Sequence, residues 1–421
     1  MLVVASVAAI MAATLVPQVG QPETTPLCII CGSLGGVDAV LNFLLFFPLG
    51  VGLGLVGLRP FTALIAILLL STGIELAQFF LISGRDASIG DVLTNVVGGA
   101  AGFFIALTSG VWRRPPRSTA LRLAMFWGAL WLALQVASAY SFSPALPSSN
   151  YYGQIARVFE HMATFGGEVL SATIDTVSVP NFGFAKTEQL RAALRNGAPV
   201  GAIVIPAGPT RGIAPIVRIA DERQREIVQL GQDHSDLVFT HRTGAAVLRL
   251  RQPIFVMREV FPAIGDGARI RYSDTLDIRA RYGRSVVEMW ADSGDVARQH
   301  EIAVYPALGW ILFFPSRWYV EGTSAELAVS LVWLAGWLIP LGYWLFFVVR
   351  SRQGRPPGER TPAFYALAIL LALGLVGAPF AFGMSPASLA ECVAVAVGLL
   401  VGAFLGKVDR RAEARRRARE G

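Results

Sequence analysis

Charged side chains are scarce in this chain. Asp, Glu, Lys and Arg make up 15% of its residues, where soluble domains carry about a quarter. With 54% hydrophobic residues, the surplus apolar surface needs a second apolar phase, which argues against an ordinary soluble enzyme. Cysteine is nearly absent: three residues exclude a disulfide framework. Cys28 and Cys31 form CIIC, and Cys392 sits inside an apolar run. CIIC suits a zinc half-site, a redox pair or a close disulfide, but no second pair completes a tetrahedral site, so no metal is assigned. His161, His234, His241 and His300 lack metal-motif spacing, and Asp233, Asp236 and Asp274 read as solvated turns rather than a calcium site. Gly52, Gly54 and Gly57 spell GxGxxG inside an apolar run with no preceding strand, so close helix packing is expected and no cofactor is assigned.

The sequence does hold long apolar runs. A membrane-crossing helix needs about 20 apolar residues. Candidates occupy 1–17, 39–58, 61–82, 89–111, 121–142, 325–349, 362–382 and 387–406, giving about eight spans. The first has no charged start and reads either as a retained anchor or as a cleaved signal. The formal net charge of +7 gathers at run ends, which indicates membrane orientation rather than nucleic acid binding. WRRPPRSTALR joins the fourth and fifth runs, RSRQGRPPGER the sixth and seventh, and KVDRRAEARRRAREG closes the chain. All three are expected in the cytoplasm, with Arg59 and both termini. The loops 18–38 and 83–88 and the stretch 143–323 then lie outside, where a Cys28–Cys31 disulfide is permitted.

Between 150 and 320 the composition changes. An amphipathic helix, AKTEQLRAALRNG, precedes short alternating runs such as GIAPIVRIA, SDLVFTHR, TLDIRAR and SVVEMWAD, separated by Gly, Asp, Ser and Pro. This pattern predicts an antiparallel β-sandwich. ILFFPSRWY, ahead of the sixth run, supplies aromatics suited to the outer membrane interface.

Polar residues in apolar runs are costly and tend to mark function. Asp38 and Asn42, Glu75 and Gln78, and Asp91 and Asn95 are three or four residues apart at the outer ends of the second, third and fourth runs, so each pair shares a helix face. Arg85 lies in the loop between the last two pairs and could meet a carboxylate. The blander alternative is that these groups act only as interhelical glue and helix caps. Gly98 and Gly102 suggest close helix packing.

The stretch from Glu75 to Gly102, ELAQFFLISGRDASIGDVLTNVVGGAAG, resembles the signature of the VanZ-like family, named for a teicoplanin-resistance protein. DAVLNFLLFFPLG, from Asp38 to Gly50, resembles that family's second helix. The resemblance covers roughly residues 1–110 and places the shared positions at Asp38, Asn42, Glu75, Gln78, Arg85, Asp91, Asn95, Gly98 and Gly102. It implies an envelope-associated bacterial membrane protein and no defined reaction. REIVQLGQDHSDLVFTHRTG followed by AAVLRLR more loosely resembles concanavalin-like, laminin-G-type jelly rolls. Many of those bind glycans, although fold alone does not assign function.

The expected architecture is multi-domain: a polytopic α-helical bundle of the bacterial inner membrane with an inserted extracytoplasmic, jelly-roll-like β-sandwich. Residues 1–112 form the VanZ-like helices, 113–147 the fifth span and its flanks, 148–320 the sandwich, 321–407 three further spans, and 408–421 a basic cytoplasmic tail. The leading functional expectation is a non-enzymatic accessory or resistance-type protein. Its polar outer-leaflet cleft would meet membrane lipid, a lipid-linked precursor or a glycopeptide, and its sandwich would capture an envelope glycan or a partner. One rival is an enzyme acting on a lipid head group with Glu75 or Asp91 as general base. The other is a proton-coupled transporter using the same carboxylates.

Overall fold

A computed structural model describes residues 1–16, 29–30, 32–82, 88–261, 275–350 and 361–420. Cys28, Cys31, Arg85 and Asp274 lie outside the described residues. The helical part opens with α1 (Leu2–Thr14), α2 (Gly35–Val56), α3 (Pro60–Leu81) and α4 (Ile89–Leu107), then the single turn α5 (Ser109–Trp112) and α6 (Arg117–Phe142). Local chemistry fixes the ends. Gly57, at φ +80°, closes α2 in the left-handed region, and its N–H returns to Gly54 and Leu53. Pro60 then opens α3 at a position where its missing N–H costs nothing. Ser88 caps α4 by accepting from the Asp91 N–H.

Seven helices among the described residues are long and apolar enough to cross a membrane: Gly35–Val56, Pro60–Leu81, Ile89–Leu107, Arg117–Phe142, Ser324–Val349, Phe364–Ala381 and Leu389–Ala412. Over the expected first span the described residues form α1, an apolar helix of 13 residues, or about 20 Å of helix against a hydrocarbon core of about 30 Å. It packs along α2, where a Cβ on Gly52 would lie 2.9 Å from Val3. Phe61, Leu69, Phe79, Phe80 and Phe104 stay exposed on the helices; apolar faces with no protein against them suit contact with lipid.

Between the helical groups lie two six-stranded sheets. One runs β1 (Tyr151–Ile155), β5 (Ile213–Asp221), β6 (Glu226–Asp233), β7 (Asp236–His241), β8 (Ile254–Met257), β12 (Tyr319–Val320). The other runs β11 (Ala297–Ala303), β10 (Val286–Asp292), β9 (Leu276–Tyr282), β4 (Val200–Ile205), β2 (Glu168–Ile174), β3 (Val177–Ser178). Among the described residues every strand pair is antiparallel except β8 with β12. Val217, Leu230 and Phe239 of the first sheet and Ala202, Ile278 and Met289 of the second join one hydrophobic core. The helix α7 (Thr187–Arg195) adds Leu190 and Leu194 to that core.

The sheets stand directly on the helix ends. A turn of helix, α8 (Gly244–Val247), follows β7, and Arg249 after it turns back at φ +54°. The Arg249 carbonyl accepts from the Gly36 N–H at 3.1 Å and, at 3.4 Å, from the Val37 N–H, which also donates to Leu34 O at 2.8 Å, so the sheet domain helps satisfy the first donors of α2. The Gly244 N–H donates to Ser143 O at 2.9 Å, and Tyr282 Oη donates to Phe142 O at 2.5 Å at the end of α6. The 3₁₀ helix Pro306–Phe313 is buried from Pro306 to Leu312. Trp310 Nε1 donates to Ser330 Oγ at 3.0 Å, and a Cβ on Gly309 would touch Ser138 of α6. Of the aromatic segment expected at the lipid interface, Ile311 and Leu312 are buried, Phe313, Phe314, Trp318 and Tyr319 half-buried, and Pro315, Ser316 and Arg317 exposed.

After β12 come α9 (Ser324–Arg350), α10 (Thr361–Ala372), which continues through a π-turn and α11 (Ala378–Ala381), and α12 (Leu389–Glu420). The ends of α9 and α12 away from the sheets are tied to the start of α6. Arg114 meets Asp409 at 3.0 Å, and Tyr343 Oη donates to the same carboxylate at 3.0 Å. The arginine-rich segments around Arg113–Arg117 therefore lie at the ends opposite the sheets.

Candidate functional site: the polar ends of α2, α3 and α4

The three polar pairs converge at the helix ends nearest the sheets, but each pair divides between different partners. Asn42 Nδ2 donates to Asp91 Oδ1 at 2.7 Å, joining α2 to α4. The Asp91 N–H donates to Ser88 Oγ at 3.0 Å, and the Ser88 N–H donates to Glu75 Oε2 at 2.9 Å, joining α4 to α3. In a capping box the residue three beyond the cap returns its side chain to the cap's N–H. Here Glu75 of another helix supplies that acceptor, which releases Asp91 toward Asn42. Ser88 was not among the candidates, although Ser-x-x-Asp ahead of an apolar run is a capping signal legible in sequence.

The remaining members point elsewhere. Gln78 Nε2 donates to Thr14 O at 2.9 Å and holds the end of α1. Asn95, one turn deeper than Asp91, donates to Ser71 Oγ at 3.0 Å, while its buried Oδ1 has no hydrogen-bond partner among the described residues. Asp38 is exposed. Its negative charge opposes the lowering that burial imposes on the Arg251 guanidinium, which donates to Phe314 O and Pro315 O at 2.9 Å each. Asp38 thus belongs electrostatically to the sheet-bearing part, one helical turn from Asn42. Glu75, Gln78, Ser88 and Asn95 are buried, and Asn42 and Asp91 half-buried.

Glycine makes this geometry reachable. A Cβ on Gly98 would lie 2.2 Å from Phe43 O, on Gly102 2.0 Å from Phe47 O, and on Gly50 1.8 Å from Gly99 O. The backbones of α2 and α4 therefore touch, within the reach of the short Asn42 side chain to Asp91.

Two more buried carboxylates, Glu326 and Glu391, occupy the sheet-side ends of α9 and α12. Glu326 accepts from the Gly322 and Thr323 N–H groups at 2.8 and 3.1 Å and from Trp318 Nε1 at 3.1 Å. Glu391 accepts from the Ser388 N–H and Oγ at 2.8 and 2.9 Å. Both complete capping boxes within their own helices, which explains two costly carboxylates without a ligand.

Chemically, Glu75 and Asp91 are acceptors fixed by backbone and amide donors, suited to receive hydroxyl, amide or ammonium groups. Among the described residues no three His, Cys, Asp or Glu side chains could hold a metal ion together. His241 ends β7, stacked on Tyr282 at 4.8 Å between ring centroids, and His234 lies in the turn between β6 and β7 with Nδ1 2.8 Å from Asp233. His300 Nε2 is 2.9 Å from Glu321 O.

No curated protein and no solved structure matches this chain. The family model described as VanZ/LLP1 matches residues 4–112, a stretch that takes in α1 to α4, all three polar pairs and the glycines of the α2–α4 contact. The N-terminal quarter of this membrane protein is therefore a VanZ-like region.

Proposed function

We propose that this is a VanZ-like accessory protein of the bacterial inner membrane that recognises an envelope ligand without transforming it. The cluster of Asn42, Glu75, Ser88 and Asp91 meets the polar head group of a lipid-linked precursor or a glycopeptide in the outer leaflet. The sheet domain, in a jelly-roll-like role, contacts the glycan portion of the same ligand. The arginine-rich segments support cytoplasmic termini and an extracytoplasmic sheet domain. The observation that carries the reading is the hydrogen-bonded run Asn42–Asp91–Ser88–Glu75 across three helices, directly below the Arg249 carbonyl that caps α2. The sheet domain is thus tied to the same end of α2 that carries Asn42.

The test uses the full chain in lipid nanodiscs and a fluorescent undecaprenyl-diphosphate-linked disaccharide pentapeptide. Glu75→Gln with Asp91→Asn keeps the shapes and removes both charges. Loss of charge-assisted hydrogen bonds worth about 1.5–3 kcal/mol each should weaken binding at least about tenfold, with membrane insertion unchanged. Unaltered binding by the double variant sinks the cluster's role, and chemical conversion of the probe by the wild type sinks the non-enzymatic reading.

A further inference from the structure

The second sheet has one face in the core and one in solvent. Leu276, Ile278 and Ala280 of β9 and Val287, Met289 and Ala291 of β10 point inward. By strict alternation Asp277, Arg279, Arg281, Glu288, Trp290 and Asp292 point out. Strand register puts Trp290 opposite Arg279 on one side and Gln299 on the other, and Arg279 opposite Gly201. One row thus crosses the sheet as Gln299, Trp290, Arg279, Gly201. An indole in the middle of a solvent-facing sheet row is costly to leave without an apolar partner.

Two grooves meet along this row. One, of about 230 Å³, is lined by Ser171, Thr173, Gly201, Asp277 and Arg279. The other, of about 310 Å³, is lined by Trp290, Asp292 and Arg298 and shares Pro199, Asp277 and Arg279 with the first. The larger is at the lower end of the roughly 300–1,000 Å³ range of small-ligand sites. Gly201 keeps the passage open beside Arg279, whose Cγ a Cβ there would approach at 3.0 Å.

The polar groups around the indole are fixed in advance. Arg279 holds Asp277 through Nε at 3.0 Å and Nη2 at 2.5 Å. Arg281 meets Glu288 through Nε and Nη2 on the single oxygen Oε2, and its guanidinium lies 5.9 Å from the Trp290 ring centroid. Arg298 donates to Glu259 O at 2.7 Å. Acids outnumber bases along the grooves, where Asp175, Asp277 and Asp292 stand beside Arg279 and Arg298. A strongly anionic ligand would find no net positive field here, and a purely apolar one would strip water from every one of these groups. A ring with an apolar C–H face and a rim of hydroxyls satisfies both demands.

We infer that the solvent face of this sheet is a binding site for a neutral saccharide, one pyranose ring stacking on Trp290 and its hydroxyls engaging Arg279 and Asp277. The two joined grooves accommodate more than one ring. The inference rests on the reading of the sheet domain as the recognition part of the proposed function, and it assigns that recognition to one face.

The test is calorimetric titration of the full chain in lipid nanodiscs, which avoid sugar-headed detergents, with chitohexaose and cellohexaose. Saturable binding of either, weakened at least about tenfold by Trp290→Ala and by Arg279→Gln at unchanged thermal stability, is the expected result. Saturable binding that both variants retain overturns the assignment to this face and leaves sheet-domain recognition standing. Absence of wild-type binding to both probes overturns that recognition role and this site together, and preference for polygalacturonate over both overturns the neutral class.

Discussion

Glu75 and Asp91 hold their places through backbone and amide donors from neighbouring helices, and the spacing of the polar pairs conceals this. Residues three or four apart share a helix face, which is why Asp38 and Asn42, Glu75 and Gln78, and Asp91 and Asn95 read as units. In the structure each unit separates: Glu75 reaches Ser88 while Gln78 reaches Thr14, and Asp91 reaches Asn42 while Asn95 reaches Ser71. Spacing fixes the face, whereas helix rotation and the nearest donor fix the partner. His241 is a second residue whose setting only the fold reveals. It is fully buried, and burial lowers its pKa from 6.5 to about 4. Its Nδ1 faces Arg242 O at 3.1 Å, and its Nε2 has no hydrogen-bond partner among the described residues, so a second ring proton would be a poorly placed donor in the core. Because the folded value lies below the unfolded one, the neutral ring's stabilisation is fully present above about pH 6.5 and is lost as the pH falls toward 4. The loss is on the order of 3 kcal/mol. Thermal unfolding of the full chain should therefore weaken more steeply between pH 7 and 4.5 than that of His241→Phe, which keeps a ring against Tyr282 but cannot titrate. Equal slopes for the two proteins would contradict this account.

At the scale of elements, apolar periodicity and turn residues made most helices and many strands legible. Gly57 and Pro60 mark the turn between α2 and α3, and Ser, Gly and Asp turns mark the hairpins. The failures have physical causes. Residues 1–17 are apolar enough to cross a membrane, but the helix they form stops at Thr14, and hydropathy does not measure where a helix stops. Trp310, just ahead of the aromatic segment, is buried and bonded to Ser330 of α9, because burial against protein and burial against lipid select the same residues. The two-residue parallel pairing of β12 with β8 joins segments far apart in sequence and leaves no local pattern. The α2–α4 contact is the element-level feature most open to test. Gly98→Val would force a Cβ into the space 2.2 Å from Phe43 O, whereas Gly73 has nothing within 4 Å of its Cβ position. Overpacking of this kind costs about 1–3 kcal/mol or more. Gly98→Val should lower the melting temperature in nanodiscs clearly, and Gly73→Val should leave it nearly unchanged. Equal effects would mean that the two backbones do not touch.

At the scale of the molecule, the sheet domain and the VanZ-like helices are joined by backbone and charge contacts where they meet. The Arg249 carbonyl accepts from the first N–H groups of α2, Arg251 lies in the field of Asp38, and Tyr282 holds the last carbonyl of α6. The opposite helix ends carry the arginines and the Arg114–Asp409 pair. The proposed function requires that the junction face out of the cytoplasm. The most direct measurement is labelling of intact cells with a membrane-impermeant thiol reagent. Single cysteines would be placed at Asp38, Gln299 and Arg117 in a background with Cys28, Cys31 and Cys392 replaced by serine. The account predicts rapid labelling at positions 38 and 299 and labelling at 117 only after the membrane is permeabilised. Labelling at 117 in intact cells, with 38 and 299 protected until permeabilisation, would contradict it.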